Sequence, residues 1–309
     1  MWFAGDVSAG LIQKLIAMYD ICCVGHITLD KVVTTQAVKH MAGGTSFYFS
    51  NAIRNMGVNY MLITALAETE IRFVDDLRAK GIKVDALPST HTVNFENIYS
   101  ENQDHRTQRV AQKADPFTPE QLTGTEAKVF HLGPLLADDM DLTLIKSLAD
   151  RAKVSLDVQG YLREVRDQQV HAIDWPVKKA ALQYIHTLKA NEHETEVLTG
   201  SKNIHEGAKI LAGWGVKEVV ITLGSMGSVI YADGVFYTIP AFKPTAVIDA
   251  TGCGDTYMAG YLYQRTKGAD IQQAGEFAAA MASIKIAASG PFVGTEDEVV
   301  DFMQVKQAI

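Results

Sequence analysis

The chain has 309 residues, a length that fits one large domain or two small ones. Hydrophobic residues make up 47% of the chain and charged residues 21%, which excludes a disordered, collagen-like or coiled-coil protein. The formal net charge of -8 disfavours nonspecific binding to nucleic acid or to an anionic membrane surface. We therefore expect neither nucleic acid nor a membrane as a partner.

The cysteines and the first residues bear on the cellular setting. Cys22, Cys23 and Cys253 are an odd-numbered and sparse set that does not make a disulfide framework, so we expect a reducing, cytoplasmic location. No apolar run approaches the roughly 20 residues of a membrane helix. A strand-like motif starts at Met18, so we expect residues 1–17 to be an extension and residues 18–309 to form the domain.

Short apolar runs alternate along the chain with longer segments of helical periodicity. Predicted strands cover residues 19–25, 60–65, 128–132, 154–158, 184–189, 218–223 and 228–232. Predicted helices cover residues 46–56, 71–80, 140–153, 194–199, 204–214, 255–267, 271–289 and 296–307. Most of these strands are apolar on both faces, as buried parallel strands are. The alternation predicts an α/β fold, a three-layer α/β/α sandwich with right-handed crossovers.

Two polar stretches, at about 31–42 and 91–113, interrupt this alternation. Residues 31–40 alternate valine with polar side chains, and residues 100–109 hold two acids and two arginines. We expect both stretches to form a small exposed β-sheet that projects from the main body. Two long surface loops are the alternative.

The strongest chemical signal is the glycine-rich segment 248–260. Gly252 and Gly254 flank Cys253, and Asp255 follows at the start of a predicted helix. Backbone N–H groups at such a helix start are unpaired and bind anions, and glycine allows a ligand to approach closely. The helix dipole favours an ionised Asp255, which could accept a proton from an alcohol beside a bound phosphate. An ordinary glycine-rich helix start is the alternative.

Several familiar motifs are absent from the sequence. It contains no Walker-type phosphate loop, and no G-x-G-x-x-G follows the first strand. His193-Glu194 begins like a zinc-protease motif, but Val197 stands where the second histidine would be. Cys22, Cys23 and His26 fit a strand that runs into a turn better than a metal site.

Residues 249–255 resemble the D-T-x-G-A-G-D signature of the ribokinase-like (PfkB) family of carbohydrate and nucleoside kinases. Further segments resemble family motifs in the same order, from about Met18 to the C-terminus. They are Asp30 after the first strand, the pair Gly43-Gly44, Asn191 and Glu194 in N-x-x-E, and Thr222, Gly224 and Gly227 in T-x-G-x-x-G.

The resemblance implies the family fold, in which a small β-sheet lid covers the substrate, and a role for each motif. Asp255 would be the general base, and Gly252, Cys253 and Gly254 would form the anion hole. The donor would be ATP with Mg²⁺. The nucleotide would contact Thr222, Gly224 and Gly227, while Asn191 and Glu194 would organise Mg²⁺ through water. Asp30, Gly43 and Gly44 would hold the acceptor hydroxyls.

Two further family traits remain open. Part of the family binds a monovalent cation such as K⁺ near the signature turn, where Asp249 stands here. Part of it also forms homodimers through the lid, and the polar lid segments of this chain leave that arrangement open.

The sequence departs from the family pattern on the acceptor side. Tyr48 replaces an asparagine that contacts the sugar in many members, so it would reshape the pocket or pack in the core beneath it. Cys253 replaces the signature alanine; its backbone N–H still serves, and a reactive thiol is a minor alternative. Asp157, Gln159 and Arg163 match a D-x-Q-x-x-x-R segment of the subgroup that includes inositol kinases. Arg163 would then bind substrate, with a surface arginine at a helix start as the alternative.

The function expected from these features is ATP-dependent phosphorylation of a hydroxyl on a small sugar, polyol or cyclitol. Two other functions remain open. A nucleoside kinase would need an aromatic slot for the base, to which Phe47 and Tyr48 could contribute. A non-catalytic regulator would have lost the base or the glycine turn, and both are present.

Overall fold

The computed structural model describes residues 18–33, 38–99 and 106–307. The strands are β1 Tyr19–Val24, β2 Thr28–Val33, β3 Val38–Gly43, β4 Tyr60–Leu66, β5 Lys83–Pro88, β6 Val93–Tyr99, β7 Arg106–Gln112, β8 Ala127–Leu132, β9 Lys153–Asp157, β10 Arg163–Arg166, β11 Gln169–Ala172, β12 Thr187–Asn191, β13 Glu218–Thr222, β14 Ser228–Ala232 and β15 Val235–Ile239. The helices are α1 Thr45–Ile53, α2 Arg72–Ala79, α3 Leu142–Ala149, α4 Lys178–Leu182, α5 Glu192–Thr199, α6 Ile204–Gly213, α7 Cys253–Thr266, α8 Ile271–Lys285 and α9 Glu296–Gln307. The predicted extension, residues 1–17, lies outside the described residues.

The main sheet has nine strands in the order β15-β14-β13-β12-β9-β8-β1-β4-β5. The strands from β13 to β5 run parallel, and β14 and β15 add an antiparallel edge. Along β1, Ile21 and Cys23 enter one core, whereas Cys22 and Val24 enter the other. Helices α1, α2, α7, α8 and α9 cover the first face, and α3 to α6 cover the second. The predicted three-layer sandwich is confirmed.

A second sheet of six strands has the order β10-β11-β7-β6-β2-β3. Among the strands that the structure describes here, β2 and β6 pair in parallel and the other neighbours pair antiparallel. Val93, Phe95 and Val110 pack from this sheet onto Leu135 and Leu136 of the main body. The prediction of a small second sheet is confirmed for its described residues, and surface loops are excluded there. Residues 34–37 and 100–105, inside the two predicted stretches, lie outside the described part.

Some elements differ from the sequence-based prediction. β5, β15 and the β10–β11 hairpin were not predicted, and neither was the short helix α4. The helix predicted at 140–153 ends at Ala149, because the next strand already begins at Lys153. The strand predicted at 184–189 begins only at Thr187, which pairs with Ser155 of β9.

The carboxyl ends of the parallel strands meet at one edge of the main sheet. β9 ends at Asp157, β12 at Asn191 and β13 at Thr222. In open α/β sheets, ligands bind in the crevice outside these strand ends. Among the described residues, no helix combines the length and apolar character of a membrane span.

Candidate active site

The glycine-rich turn leads directly into helix α7. Gly252, the residue before the helix, has a left-handed backbone with φ 75°, and its Cα faces the ring of Tyr48 so closely that a Cβ would overlap it. The first hydrogen bond of the helix runs from Thr256 N to Gly252 O at 2.9 Å. The Cys253 N–H donates to Ala250 O at 3.2 Å. The N–H groups of residues 254 and 255 precede this first hydrogen bond and therefore have no partner within the helix, as at any helix start. Of the predicted anion hole, the Gly254 N–H lies at this helix start, whereas the Cys253 N–H already donates to Ala250 O and does not fit that role.

Asp255 lies partly buried in the first turn of α7. The pKa of its carboxyl group is raised from 3.8 to about 7, mainly by burial and next by the neighbouring carboxylate of Asp157. Three groups partly oppose this rise in pKa: the Lys189 ammonium, a hydrogen bond from Thr45 and the charge of Arg163. The sequence predicted a carboxylate that the helix dipole keeps ionised, whereas burial and Asp157 raise its pKa towards neutrality, so that it is only partly ionised at about pH 7.

A buried ion pair lies beside Asp255. Lys189 Nζ is 2.9 Å from Asp157 Oδ2, and the two side chains are 8% and 1% exposed. Burial alone would lower the pKa of Lys189, but the carboxylates of Asp157, Glu194 and Asp255 raise it above its usual range. A Cβ on Gly254 would lie 3.2 Å from Lys189 Nζ, so the ammonium stands directly behind the glycine turn. Sequence reasoning missed Lys189, because its strand also contains the polar residues Thr187 and Asn191 and the lysine does not stand out there.

Asn191 and Glu194 form a capping box at the start of α5. Glu194 N donates to Asn191 Oδ1 at 2.8 Å, and Asn191 N donates to Glu194 Oε2 at 2.7 Å. Burial raises the pKa of Glu194, and Lys189 opposes this effect. Within the described ranges no group of three or more His, Cys, Asp or Glu side chains could cage a metal ion. Mg²⁺ in kinase sites is usually held by one or two carboxylates and the substrate phosphates, so Glu194 fits a water-mediated role.

Asp30 and the two glycines meet where β2 pairs with β3. Gly43 lies opposite Thr28, and a Cβ on Gly43 would overlap the Asp30 carboxylate and lie 2.8 Å from Thr28 Oγ1. Gly44 has φ 91°, and a Cβ there would lie 2.6 Å from His26 O. Both positions therefore need glycine, and the first leaves room for the Asp30 carboxylate.

Tyr48 links this acceptor side to the turn. Its side chain is 4% exposed, and its ring meets that of Phe47 edge-on at 5.4 Å. Burial raises the pKa of Tyr48, and the carboxylates of Asp249, Asp30 and Asp255 raise it further. Tyr48 is thus packed as a core residue would be, yet its hydroxyl remains a proton donor among three carboxylates.

Arg163 stands at the start of β10. The segment before it is a short 3-10 turn, and Arg163 itself is extended, so the alternative of a surface arginine at a helix start is wrong. Its charge lowers the pKa of both Asp255 and Glu194. In the amide orientation that satisfies both groups, the side-chain oxygen of Gln159 accepts from Arg163 Nη1 at 3.1 Å. Arg163 therefore faces the same cluster as the candidate base.

A mostly apolar cavity of about 610 Å³ opens on the other side of the turn. Thr222, Gly224 and Gly227 line it together with Cys253 and Gly254. The structure thus joins the predicted nucleotide loop to the anion-binding turn.

Two expectations at the turn do not fit the structure. Burial raises the pKa of the Cys253 thiol to about 11, so the alternative of a reactive thiol is wrong. Asp249 is bound by Lys285, whose Nζ lies 2.7 Å from its carbonyl oxygen and 3.2 Å from Oδ2. The oxygens that would coordinate K⁺ therefore already contact an ammonium group, so the residues present do not fit a monovalent cation there.

A glycine-rich helix start that borders a mostly apolar cavity and carries a buried carboxyl group next to Asp157 and Lys189 fits a phosphotransferase acting on an alcohol. The family model described as pfkB family carbohydrate kinase matches residues 13–297, and the chain belongs to that family. The chain is therefore a kinase with an alcohol group as acceptor. Kinases of this family use ATP, typically with Mg²⁺.

The chain resembles relatives with different acceptors. It is 28% identical to a cytidine kinase of Thermococcus kodakarensis over 83% of this chain and 92% of the relative. It is 24% identical to a ribokinase of Bacillus subtilis over 93% of this chain and 100% of the relative.

The similar solved structures also include kinases with different acceptors. A pyrophosphate-dependent kinase of the ribokinase family, complexed with a pyrophosphate analogue and myo-inositol, superposes with a TM-score of 0.80 at 27% identity, covering 91% of this chain and 99% of that one. Arabidopsis thaliana ribokinase with ribose and ATP has a TM-score of 0.79 at 19% identity, over 93% of this chain and 99% of that one. The second likeness shows the fold alone.

Proposed function

We propose that this kinase transfers the γ-phosphate of ATP, with Mg²⁺, to a hydroxyl of a small polyol or cyclitol. The observation that carries the proposal is the position of Asp255. Its carboxyl group has a pKa of about 7 and follows Cys253 and Gly254, which line the apolar cavity, at the start of α7.

Asp255 acts as the general base in this proposal. A carboxylate with a pKa near neutrality accepts a proton more readily than one with a pKa near 4 and still ionises at physiological pH. The acceptor hydroxyl loses its proton to Asp255 as its oxygen attacks the γ-phosphorus, and ADP leaves. The N–H groups of the glycine turn and the dipole of α7 stabilise the negative charge on the transferred group.

Bound Mg²⁺ would supply positive charge that offsets the negative charge of the donor phosphates. Glu194 would hold it through water, because one of its oxygens is already fixed by the Asn191 N–H. Lys189, behind the turn, places a permanent positive charge near the same phosphates.

The cavity supports a nucleotide donor over pyrophosphate. Thr222, Gly224 and Gly227 contribute to its lining, and residues of the 241–250 segment, α7 and α8 make the cavity mostly apolar. A volume of about 610 Å³ accommodates a nucleoside, and pyrophosphate would leave these apolar walls without a partner.

The acceptor pocket supports a polyol or cyclitol. Asp30 can accept hydrogen bonds from vicinal hydroxyls, and the protonated Tyr48 can donate one. The myo-inositol complex of the pyrophosphate-dependent relative agrees with this choice.

The cytidine kinase relative favours a nucleoside acceptor as the second candidate. That function needs an open aromatic slot for the base. Tyr48 is buried against Gly252, and its ring is edge-on to that of Phe47. The two rings are therefore not parallel, and a base could not stack between them. The geometry therefore favours the polyol.

Two broader expectations accompany the proposal. The cysteines Cys22, Cys23 and Cys253 are free thiols, which supports a reducing, cytoplasmic location. Closure of the second sheet over the acceptor, and a homodimer through that sheet, remain predictions.

The test is release of ADP from MgATP across a panel of sugars, cyclitols and nucleosides, with pyrophosphate as the competing donor. The proposal expects the highest kcat/KM for a cyclitol or linear polyol, with ATP as donor. Preferred turnover of a nucleoside would establish the second candidate. ATP binding without turnover on any acceptor would favour a non-catalytic regulator.

A further inference from the structure

Lys285 is a fully buried lysine at the end of α8, next to the anion-binding turn. Its side chain is 0% exposed, and its ammonium group contacts the carbonyl oxygen and the carboxylate of Asp249. A buried ammonium is costly unless it is paired and hydrogen-bonded, so this lysine is held in a defined position.

The contacts around Lys285 connect α8 to the turn. Ile248 N and Asp249 N both donate to Ile286 O, at 2.8 and 3.2 Å. The Asp249 carboxylate accepts from Thr251 N at 2.9 Å and from Gly290 N at 3.3 Å. The segment that enters the turn is therefore fixed on one side by α8 and on the other by its own carboxylate.

The charge of Lys285 matters for phosphate binding. The Asp249 carboxylate lies only three residues before Gly252, and an uncompensated negative charge there would repel the phosphates of a bound nucleotide. The ammonium compensates that charge and also supplies the positive partner for a backbone carbonyl. Both are tasks that a bound monovalent cation would perform with the same oxygen ligands.

We propose that Lys285 is the built-in cation of the anion-binding turn, so that this kinase needs no monovalent cation for nucleotide binding or phosphoryl transfer. Lys285 is a positioning residue, because it acts through Asp249 and the turn. The inference rests on the proposed use of ATP at this turn but not on the identity of the acceptor.

The first experiment compares nucleotide affinity and kcat in KCl and in choline chloride at equal ionic strength. The wild type should show the same values in both salts. Lys285→Ala should lose about tenfold in kcat in choline chloride and recover much of it, in a saturable way, with K⁺ or NH₄⁺. Lys285→Met, which fills the same space without charge, should lose as much and recover nothing. A merely destabilised variant would not show this cation-specific rescue.

The matched control is Lys267→Met. Lys267 also stands at the end of a helix of the same core, and it pairs with Glu296 at 3.1 Å, away from the turn. We expect this variant to behave as the wild type in both salts.

A second readout does not depend on any acceptor. Crystals soaked in thallium(I), which substitutes for K⁺, should show an anomalous peak beside Asp249 O in Lys285→Ala and none there in the wild type. A peak there in the wild type, several-fold K⁺ activation of the wild type, or wild-type kcat in Lys285→Met would each overturn the inference. If the acceptor panel fails, the proposed function fails, whereas the thallium experiment still decides the role of Lys285.

Discussion

Removing the charge of Asp157 should make the kinase active at lower pH. Asp157 is the neighbouring carboxylate that raises the pKa of Asp255, and it also neutralises Lys189 at 2.9 Å. Asp157→Asn removes a like charge from the candidate base and leaves the ammonium to act on it alone. The amide oxygen can still accept the Gln159 N–H that Asp157 Oδ1 accepts at 3.1 Å, so the local turn should persist.

The size of the effect follows from the ionisation of Asp255. With a pKa of about 7, roughly a tenth of the wild-type enzyme holds an ionised base at about pH 6. Nearby charges shift a carboxyl pKa by about 1–3 units. If the pKa of Asp255 falls to between about 5 and 6, half or more of the variant is ionised at about pH 6.

The assay is kcat against pH, at saturating substrates, with direct detection of ADP. We expect the acid limb of the profile to lie near the pKa of Asp255 in the wild type and at lower pH in Asp157→Asn. Lys189→Met should move it the opposite way, with kcat recovering at high pH.

The matched control is Glu218→Gln. Glu218 is also a buried carboxylate in an ion pair, with Arg265 at 2.6 Å, but it lies at the other end of the sheet strands. Its variant should keep the wild-type profile. An acid limb that stays in place in Asp157→Asn, or moves to higher pH, would refute the role of these charges.

Two further predictions concern stability and acceptor binding. Asp255→Asn should raise the free energy of unfolding by up to about 4 kcal/mol above pH 7, because a carboxyl with a pKa raised from 3.8 to about 7 destabilises the fold once it ionises. This cost is absent below about pH 4 and grows as pH rises to 7, so the gain in Tm should be larger at about pH 8 than at about pH 5. Gly43→Ala should raise KM for the acceptor about tenfold and leave KM for ATP unchanged, because its Cβ would displace the Asp30 carboxylate. Gly213→Ala, where a Cβ meets nothing within 4 Å, is the control, and equal effects of the two alanines on acceptor KM would contradict the argument.

Hydrophobic patterning predicted the layers of the fold because a buried strand can be recognised from the apolar run in its own few residues. The apolar run of β1 and the helical spacing of α6 needed no knowledge of their neighbours. The β10–β11 hairpin escaped prediction for a local reason. Its turn residues Asp167 and Gln168 adopt positive φ of 51° and 63°, and Gln168 occupies the position where glycine usually signals such a turn.

The motif residues of the candidate site could likewise be found in the sequence, but their electrostatics could not. Lys189 contacts Asp157 because β12 pairs with β9 in a register that places these two residues side by side. The order of strands in the sheet differs from their order along the chain, so the sequence did not predict this pairing. Lys285 reaches Asp249 across 36 positions of sequence. The pKa of Asp255 depends on burial, which only the folded structure reveals.

The most direct test of the account is the kcat of Asp255→Ala with MgATP and the best acceptor from the panel. If Asp255 is the general base, kcat should fall by about 10²–10⁴-fold, while KM for both substrates changes modestly. A variant that keeps more than about a tenth of the wild-type kcat would contradict the proposed role of Asp255.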